Sequence, residues 1–346
     1  MSAALRAAFL DQAGHCEDLD SPFMGRLLRF LTTDWPTDTA LVAKCAAFTG
    51  DIGPKGHSLP LRIASGLHAL VLQNVDAGLV AVYPPNAPND ADFQSAVVQA
   101  LRNHDSFLCD WIDNAPQTNE VRRSAVLIGA AQLLAHRYDL PFQLSELGAS
   151  AGLNLMFDQF RLDVGAGFGP ASDVHLKPEW QGALPPNRTI SVAERRGVDL
   201  NPLNAHDATD ALRLQSYLWA DQADRLQRTR AAIALQNAAL DQGDAIDWLQ
   251  RRLQTPWDAR LHLIFHTVAW QYFPADAQAR GRALIEAAGA EAGSNAPLAW
   301  LSYEADGNAP GAALILRLWP GDLRIDLGRA DFHGRWVDWR APAALT

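Results

Sequence analysis

The sequence predicts an α/β protein: a mostly parallel, Rossmann-like sheet ending in an antiparallel hairpin, preceded by an all-helical subdomain. Three observations predict it. Residues 1–140 carry helical signals and no strand alternation of any length. From Pro141 onward, short β-like runs alternate with helical stretches, the pattern of a parallel sheet covered on both faces. The closing segment, Ala312 to Trp339, has two β-like runs split by Trp319-Pro320-Gly321-Asp322, a hairpin signal.

The helical part is read in order. Ser21-Pro22 starts a helix through Leu31, with proline at the first position, where its missing N–H costs nothing. Ser58 begins another, with Leu61, Leu67, Leu70 and Val71 among its apolar residues. Asp92–His104 and Thr118–His136 follow, with Thr118 as a cap and Glu120 suited to the positive helix start. The α/β part, residues 141–346, places strands at Phe142–Ser145, Arg196–Asp199, Leu261–His266, Leu298–Tyr303 and Ala313–Leu318. Helices are expected at Gln222–Leu240, Ala245–Leu253 and Ala277–Ala288. Residues 161–195, rich in Gly and Pro, look like an insertion with short extended pieces.

Composition bounds the function. At 346 residues, with 48% hydrophobic and 20% charged residues, the chain can build a sizeable core. A net charge of −10 argues against nucleic acid as principal partner, since phosphate binding needs a basic face. Cys16, Cys45 and Cys109 are odd in number and widely spaced, which suits a reducing compartment. No signal core precedes Asp11, and Ser124–Leu134 is too short to span a bilayer, so a cytoplasmic protein free of membrane is expected.

Residues 142–154 carry the chemistry. An apolar run leads into small residues and then a new apolar stretch, which reads as strand, tight turn and helix start. The glycines let the backbone turn sharply and let a ligand approach closely. Read as Glu146-x-Gly148-x-x-x-Gly152, with Ala149, Ser150 and Asn154, this is a turn that holds S-adenosylmethionine. Read as Gly148-x-Ser150-x-Gly152, it is a nucleophile elbow. Glu146 at the strand end, the helical character of the preceding residues and the lack of a Gly-Gly oxyanion segment favour the cofactor.

Three further signals fit. Gly197-Val198-Asp199-Leu200-Asn201-Pro202 ends a strand on an acid that can accept hydrogen bonds from both ribose hydroxyls. Asp199 lies far beyond the usual spacing of about 20 residues, so the insertion must loop out; Asp163 competes on spacing alone. Gly243-Asp244-Ala245 places an acid for an adenine amino group, or a helix N-cap. Phe265-His266-Thr267-Val268-Ala269-Trp270-Gln271-Tyr272 follows the candidate fourth strand, where ligands bind in open sheets. His266 and Tyr272 are catalytic candidates, and Trp270, Asn119 and Glu120 substrate-binding candidates. His262 and His266 lack a third ligand for zinc.

The segments PQTNEVRRS, ELGASAGLNL, GVDLNPL, YLWADQADR, FHTVAWQY and WPGD…HGRWVDW together resemble the uncharacterised bacterial family "domain of unknown function 2332" across nearly the whole chain. Its α/β half is similar to class I S-adenosylmethionine-dependent methyltransferases. Ser150 stands where a middle glycine is common in them. The resemblance implies a methyltransferase acting on a small-molecule substrate, its cofactor over Gly148–Gly152, ribose on Asp199 and adenine near Asp244. Two rivals remain: a serine hydrolase built on Ser150, His333 and either Asp244 or Glu304, and a non-catalytic nucleotide-binding module. A nicotinamide site is disfavoured because G-x-G-x-x-G is absent.

Overall fold

The computed structural model describes residues 2–54 and 56–345. These divide into two compact units, Met1–Thr118 with His206–Gln227, and Asn119–Ala205 with Arg228–Thr346. The first unit therefore ends ahead of the helix that leads into the first strand and takes in residues from much later in the chain.

Helices come first along the chain: α1 (Ala3–Asp18), α2 (Pro22–Phe30), α3 (Ala40–Ala47), α4 (Leu59–Leu72), α5 (Ala77–Val82), α6 (Asp90–Asn103) and α7 (Asp105–Trp111). α8 (Ser124–Tyr138) then leads to β1 (Phe142–Leu147), β2 (Arg161–Asp163), β3 (Gly167–Phe168), β4 (His175–Leu176), β5 (Glu179–Gly182) and β6 (Val192–Asp199). Next come α9 (Ala208–Ser216), α10 (Ala223–Leu235), β7 (Ala239–Gln242), α11 (Ala245–Arg252), β8 (Leu261–Thr267) and α12 (Ala275–Ala290). The chain closes with β9 (Leu298–Glu304), β10 (Ala312–Trp319), β11 (Leu323–Ala330) and β12 (Trp336–Trp339).

The first unit packs α1–α7 around Phe9, Leu27, Leu31, Leu67, Phe93 and Leu108. Residues from much later in the chain complete it. Trp219 joins this core, and Asp221 accepts hydrogen bonds from the Ser21 hydroxyl and the Phe23 amide. Ser216 at the end of α9 accepts, through its carbonyl, a hydrogen bond from Nδ1 of His68 on α4.

The second unit is built on a nine-stranded sheet, ordered β5-β12-β11-β10-β9-β8-β1-β6-β7. β7, β6, β1, β8 and β9 run parallel. β9, β10, β11 and β12 are antiparallel neighbours, so the closing hairpin extends the sheet. β1 lies among the parallel strands and all its residues are buried, as befits a strand covered on both faces. No helix of the described residues is long and apolar enough to cross a membrane.

Local structure departs from the sequence reading at two of the expected helices. The expected helix from Thr118 starts instead as a 3₁₀ turn, Val121–Arg123, followed by α8, and Glu120 rather than Thr118 caps it, accepting from the Arg122 amide. The expected helix to Leu240 ends at Leu235, and Ala239–Gln242 becomes β7. That edge strand has no apolar alternation; its pairing to β6 makes it a strand. The insertion forms a small sheet, β3-β2-β4, and its next piece, β5, pairs with β12. The chain then returns as β6 beside β1, so the insertion does loop out.

Candidate functional site

β1 ends in a turn that only small residues can make. Gly148 (φ +72°), Ser150 (φ +52°) and Gly152 (φ +69°) all adopt left-handed backbone. A Cβ on Gly148 would stand 2.6 Å from Cβ of Ala269, in the loop after β8, so glycine lets these two turns touch. A Cβ on Gly197 would meet Cβ of Ala149 at the same distance, which fits β6 tightly under the turn. Val268 is also left-handed (φ +56°), an outlier for a β-branched side chain. Strained backbone thus sits in both turns, at the carboxyl ends of adjacent strands, and such strain concentrates at functional sites.

The turn's amides are engaged within the protein. Those of Gly148 and Ala149 donate to the Val198 carbonyl, that of Ser150 to Oδ2 of Asp199, and that of Gly152 to the Ala149 carbonyl. Leu153 donates to Oδ1 of Asn119. The next element is a 3₁₀ helix, Leu153–Gln159, and not the α-helix read from the sequence, so a full helix dipole is missing here.

The acids come together along neighbouring strand ends. Asp199 closes β6, held by the Ser150 amide on Oδ2 and the Asn201 amide on Oδ1. The amide of Gly243, just past β7, donates to the Asp199 carbonyl, which brings Asp244 alongside. Asp244 caps α11, its Oδ1 accepting from Ile246 and Asp247, with Ala245 the first helical residue. Leu200 is 74% exposed. Asp163 lies in the insertion, bonded to Arg161 and His175, away from these strand ends.

Glu146 is only 1% exposed. Its Oε2 has no hydrogen-bond partner among the described residues. Burial pushes its carboxyl well above the usual carboxylate range, the charge of Asp199 adds to this, and Arg123 opposes it. The Ser150 hydroxyl and Nδ2 of Asn154 are also buried without partners among the described residues. Leaving buried polar atoms unbonded costs free energy, and three such atoms stand at this turn.

The polar run before α8 ties this edge together, which sequence reasoning only half anticipated. Asn119 caps the start of the 3₁₀ helix after the turn, and the Ser124 hydroxyl donates to Oδ1 of Asn154. Arg123, not singled out from the sequence, donates to the carbonyls of Thr267 at the end of β8 and of Phe332. The Arg122-Arg123 pair inside a buried polar segment was the available signal.

His266 has the surroundings of a core histidine. Its Nδ1 lies 2.7 Å from Oε1 of Glu304, and Nε1 of Trp300 donates to its Nε2 at 3.0 Å. A tryptophan N–H can only donate, so the ring is in its Nδ1–H form and both nitrogens are engaged. Trp270 stacks on it at 4.8 Å and is itself buried. Tyr272 is 75% exposed. Glu304 also accepts the amides of Ala269, Trp270 and Gln271. Burial pushes its carboxyl up, but the His266 bond and these amides outweigh that and leave it below the ordinary value. His262 bonds Ser145, and burial lowers it to about 3. The hydrolase constellation finds no support: the Ser150 hydroxyl bonds no imidazole among the described residues, Glu304 holds His266, and Asp244 caps a helix.

A family model described as "Uncharacterized protein conserved in bacteria (DUF2332)" matches residues 6–339. The chain belongs to this family. No curated protein matches it. The DUF2332 match runs through both compact units, so the acids, the glycine turn and the polar run before α8 all lie inside it.

Proposed function

We propose that this DUF2332 protein is an S-adenosylmethionine-dependent methyltransferase acting on a small molecule. One observation carries the reading: Glu146, the Gly148–Gly152 turn, Asp199 and Asp244 line the carboxyl ends of three neighbouring parallel strands. By chain order those strands and their neighbours run 3-2-1-4-5, the order of nucleotide-binding sheets, in which ligands bind at the carboxyl ends where the order reverses.

The residues fit such a cofactor. Asp199 keeps lone pairs for ribose hydroxyls while two backbone amides hold its orientation. Exposed Leu200 offers apolar surface for an adenine ring, with Asp244 next to it. Oε2 of Glu146 and the Ser150 hydroxyl, buried without partners among the described residues, suit the amino-acid end. The cofactor supplies an electrophilic methyl group. The chain's part is positioning, since holding two reactants in line is worth about 7–11 kcal/mol at best. Neither nitrogen of His266 is open for proton transfer, so this reading assigns it no base role.

Calorimetric titration with S-adenosylhomocysteine tests the reading. Wild type should bind, and Asp199→Ala should bind about 10- to 100-fold more weakly, the worth of hydrogen bonds to a charged acceptor. No heat from wild type at saturating ligand would overturn it.

A further inference from the structure

Glu146 is buried, and its Oε2 has no hydrogen-bond partner among the described residues. We propose that Glu146 stands as a neutral carboxylic acid in the ligand-free protein and releases its proton to solvent when the ammonium group of an amino-acid-bearing ligand docks beside it. This rests on the cofactor reading above and adds a coupling to it.

The surroundings of Glu146 carry the inference. It sits within β1, paired to Gly197 of β6 and Phe265 of β8, so its strand neighbours offer no charge. From β6, Asp199 presents a like charge that favours the protonated form. Farther along β6, Arg195 and Arg196 are committed to Asp158 and Asp241. From β8, His262 is bonded to Ser145 and His266 to Glu304. On the 3₁₀ helix Leu153–Gln159, Asp158 is the charged side chain, and Arg195 holds it. Before α8, Glu120 lies beside Arg122, and Arg123 spends Nε and Nη1 on backbone carbonyls. Arg123 therefore acts on Glu146 through its field, not through a bonded pair. An isolated carboxylate buried without a partner is too costly to persist, so the group takes up a proton.

A ligand's ammonium group reverses the balance, because a positive charge beside the carboxyl favours its charged form. The O–H bond of Glu146 breaks, the proton goes to water or buffer, and the ligand keeps its own N–H protons. One proton leaves as one ammonium group docks beside the carboxylate. Binding must then strengthen as pH rises, by up to about tenfold per pH unit, until Glu146 ionises in the empty site.

Two measurements test this. Without ligand, the infrared spectrum at neutral pH should contain a protonated-carboxyl carbonyl band that Glu146→Gln removes; if wild type and variant give the same spectrum there, the inference is wrong. With ligand, S-adenosylhomocysteine titrated in buffers of different ionisation enthalpy should release close to one proton in wild type. Glu146→Gln should release none, and adenosine, which lacks the ammonium, should release none from wild type. Binding of S-adenosylhomocysteine with no proton released sinks the coupling but leaves the cofactor reading standing. Absence of any binding, by either ligand, removes that reading and the coupling with it.

Discussion

At the residue scale, the site is defined by which polar groups are satisfied and which are not. Glu304 and Glu146 are both buried acids on parallel strands, yet their environments push them in opposite directions. Glu304 collects one imidazole and three amides, so the charged form is favoured. Oε2 of Glu146 has no partner among the described residues, and burial pushes its carboxyl up, so the neutral form is favoured there. The pH dependence of stability follows for Glu304. Its folded carboxyl titrates below the ordinary 4.5, so its contribution is complete above that value and is lost as pH falls through the folded one. Glu304→Gln should cost about 2–3 kcal/mol at neutral pH, the worth of hydrogen bonds to a charged group. That deficit should shrink below pH 4.5 when wild type and variant are compared by urea denaturation. A deficit that stays constant on acidification contradicts the assignment.

At the scale of elements, two turns meet at the carboxyl edge. The β1 turn and the loop after β8 approach so closely that Gly148 has no room for a methyl group. Gly148→Ala combines a left-handed alanine, costing about 1–2 kcal/mol, with an overpacked contact costing about 1–3 kcal/mol. Chemical denaturation should therefore show a loss of at least about 2 kcal/mol, and ligand binding should weaken because the turn that orients Asp199 shifts. An unchanged midpoint would mean that the Ala269 loop yields freely. Much of this turn was legible beforehand. Paired glycines after an apolar run announce a sharp bend, and the Gly-Val-Asp-Leu-Asn-Pro setting marks Asp199 as an acid at a strand end despite its distance in sequence. The partners of His266 were not legible. Trp300 and Glu304 lie on another strand, and a histidine followed by aromatics reads alike whether it faces a ligand or the core.

At the scale of the molecule, the first unit is discontinuous. α9 and Trp219 come from beyond the first strands, and Asp221 holds the start of α2. A chain cut after Thr118 therefore exposes core surface that Trp219 covers and leaves the Ser21 hydroxyl and Phe23 amide without their acceptor. Circular dichroism of the 1–118 fragment should show helix without a cooperative thermal transition, whereas a sharp melt would show that 206–227 is dispensable to this unit. The helical character of the first 118 residues needed only the amino-acid order, because apolar spacing and caps are local and leave their mark in one short window. The same holds for β1, β8 and β9, whose short, mostly apolar runs are bounded by local turn signals. The return of residues 206–227 to the first unit, the edge strand β7, the far-edge pairing of β5, and the solitude of the Glu146 carboxyl depended on three-dimensional assembly. Each is set by neighbours remote in sequence, and a carboxyl's charge state depends on what surrounds it, not on the residues beside it in the chain.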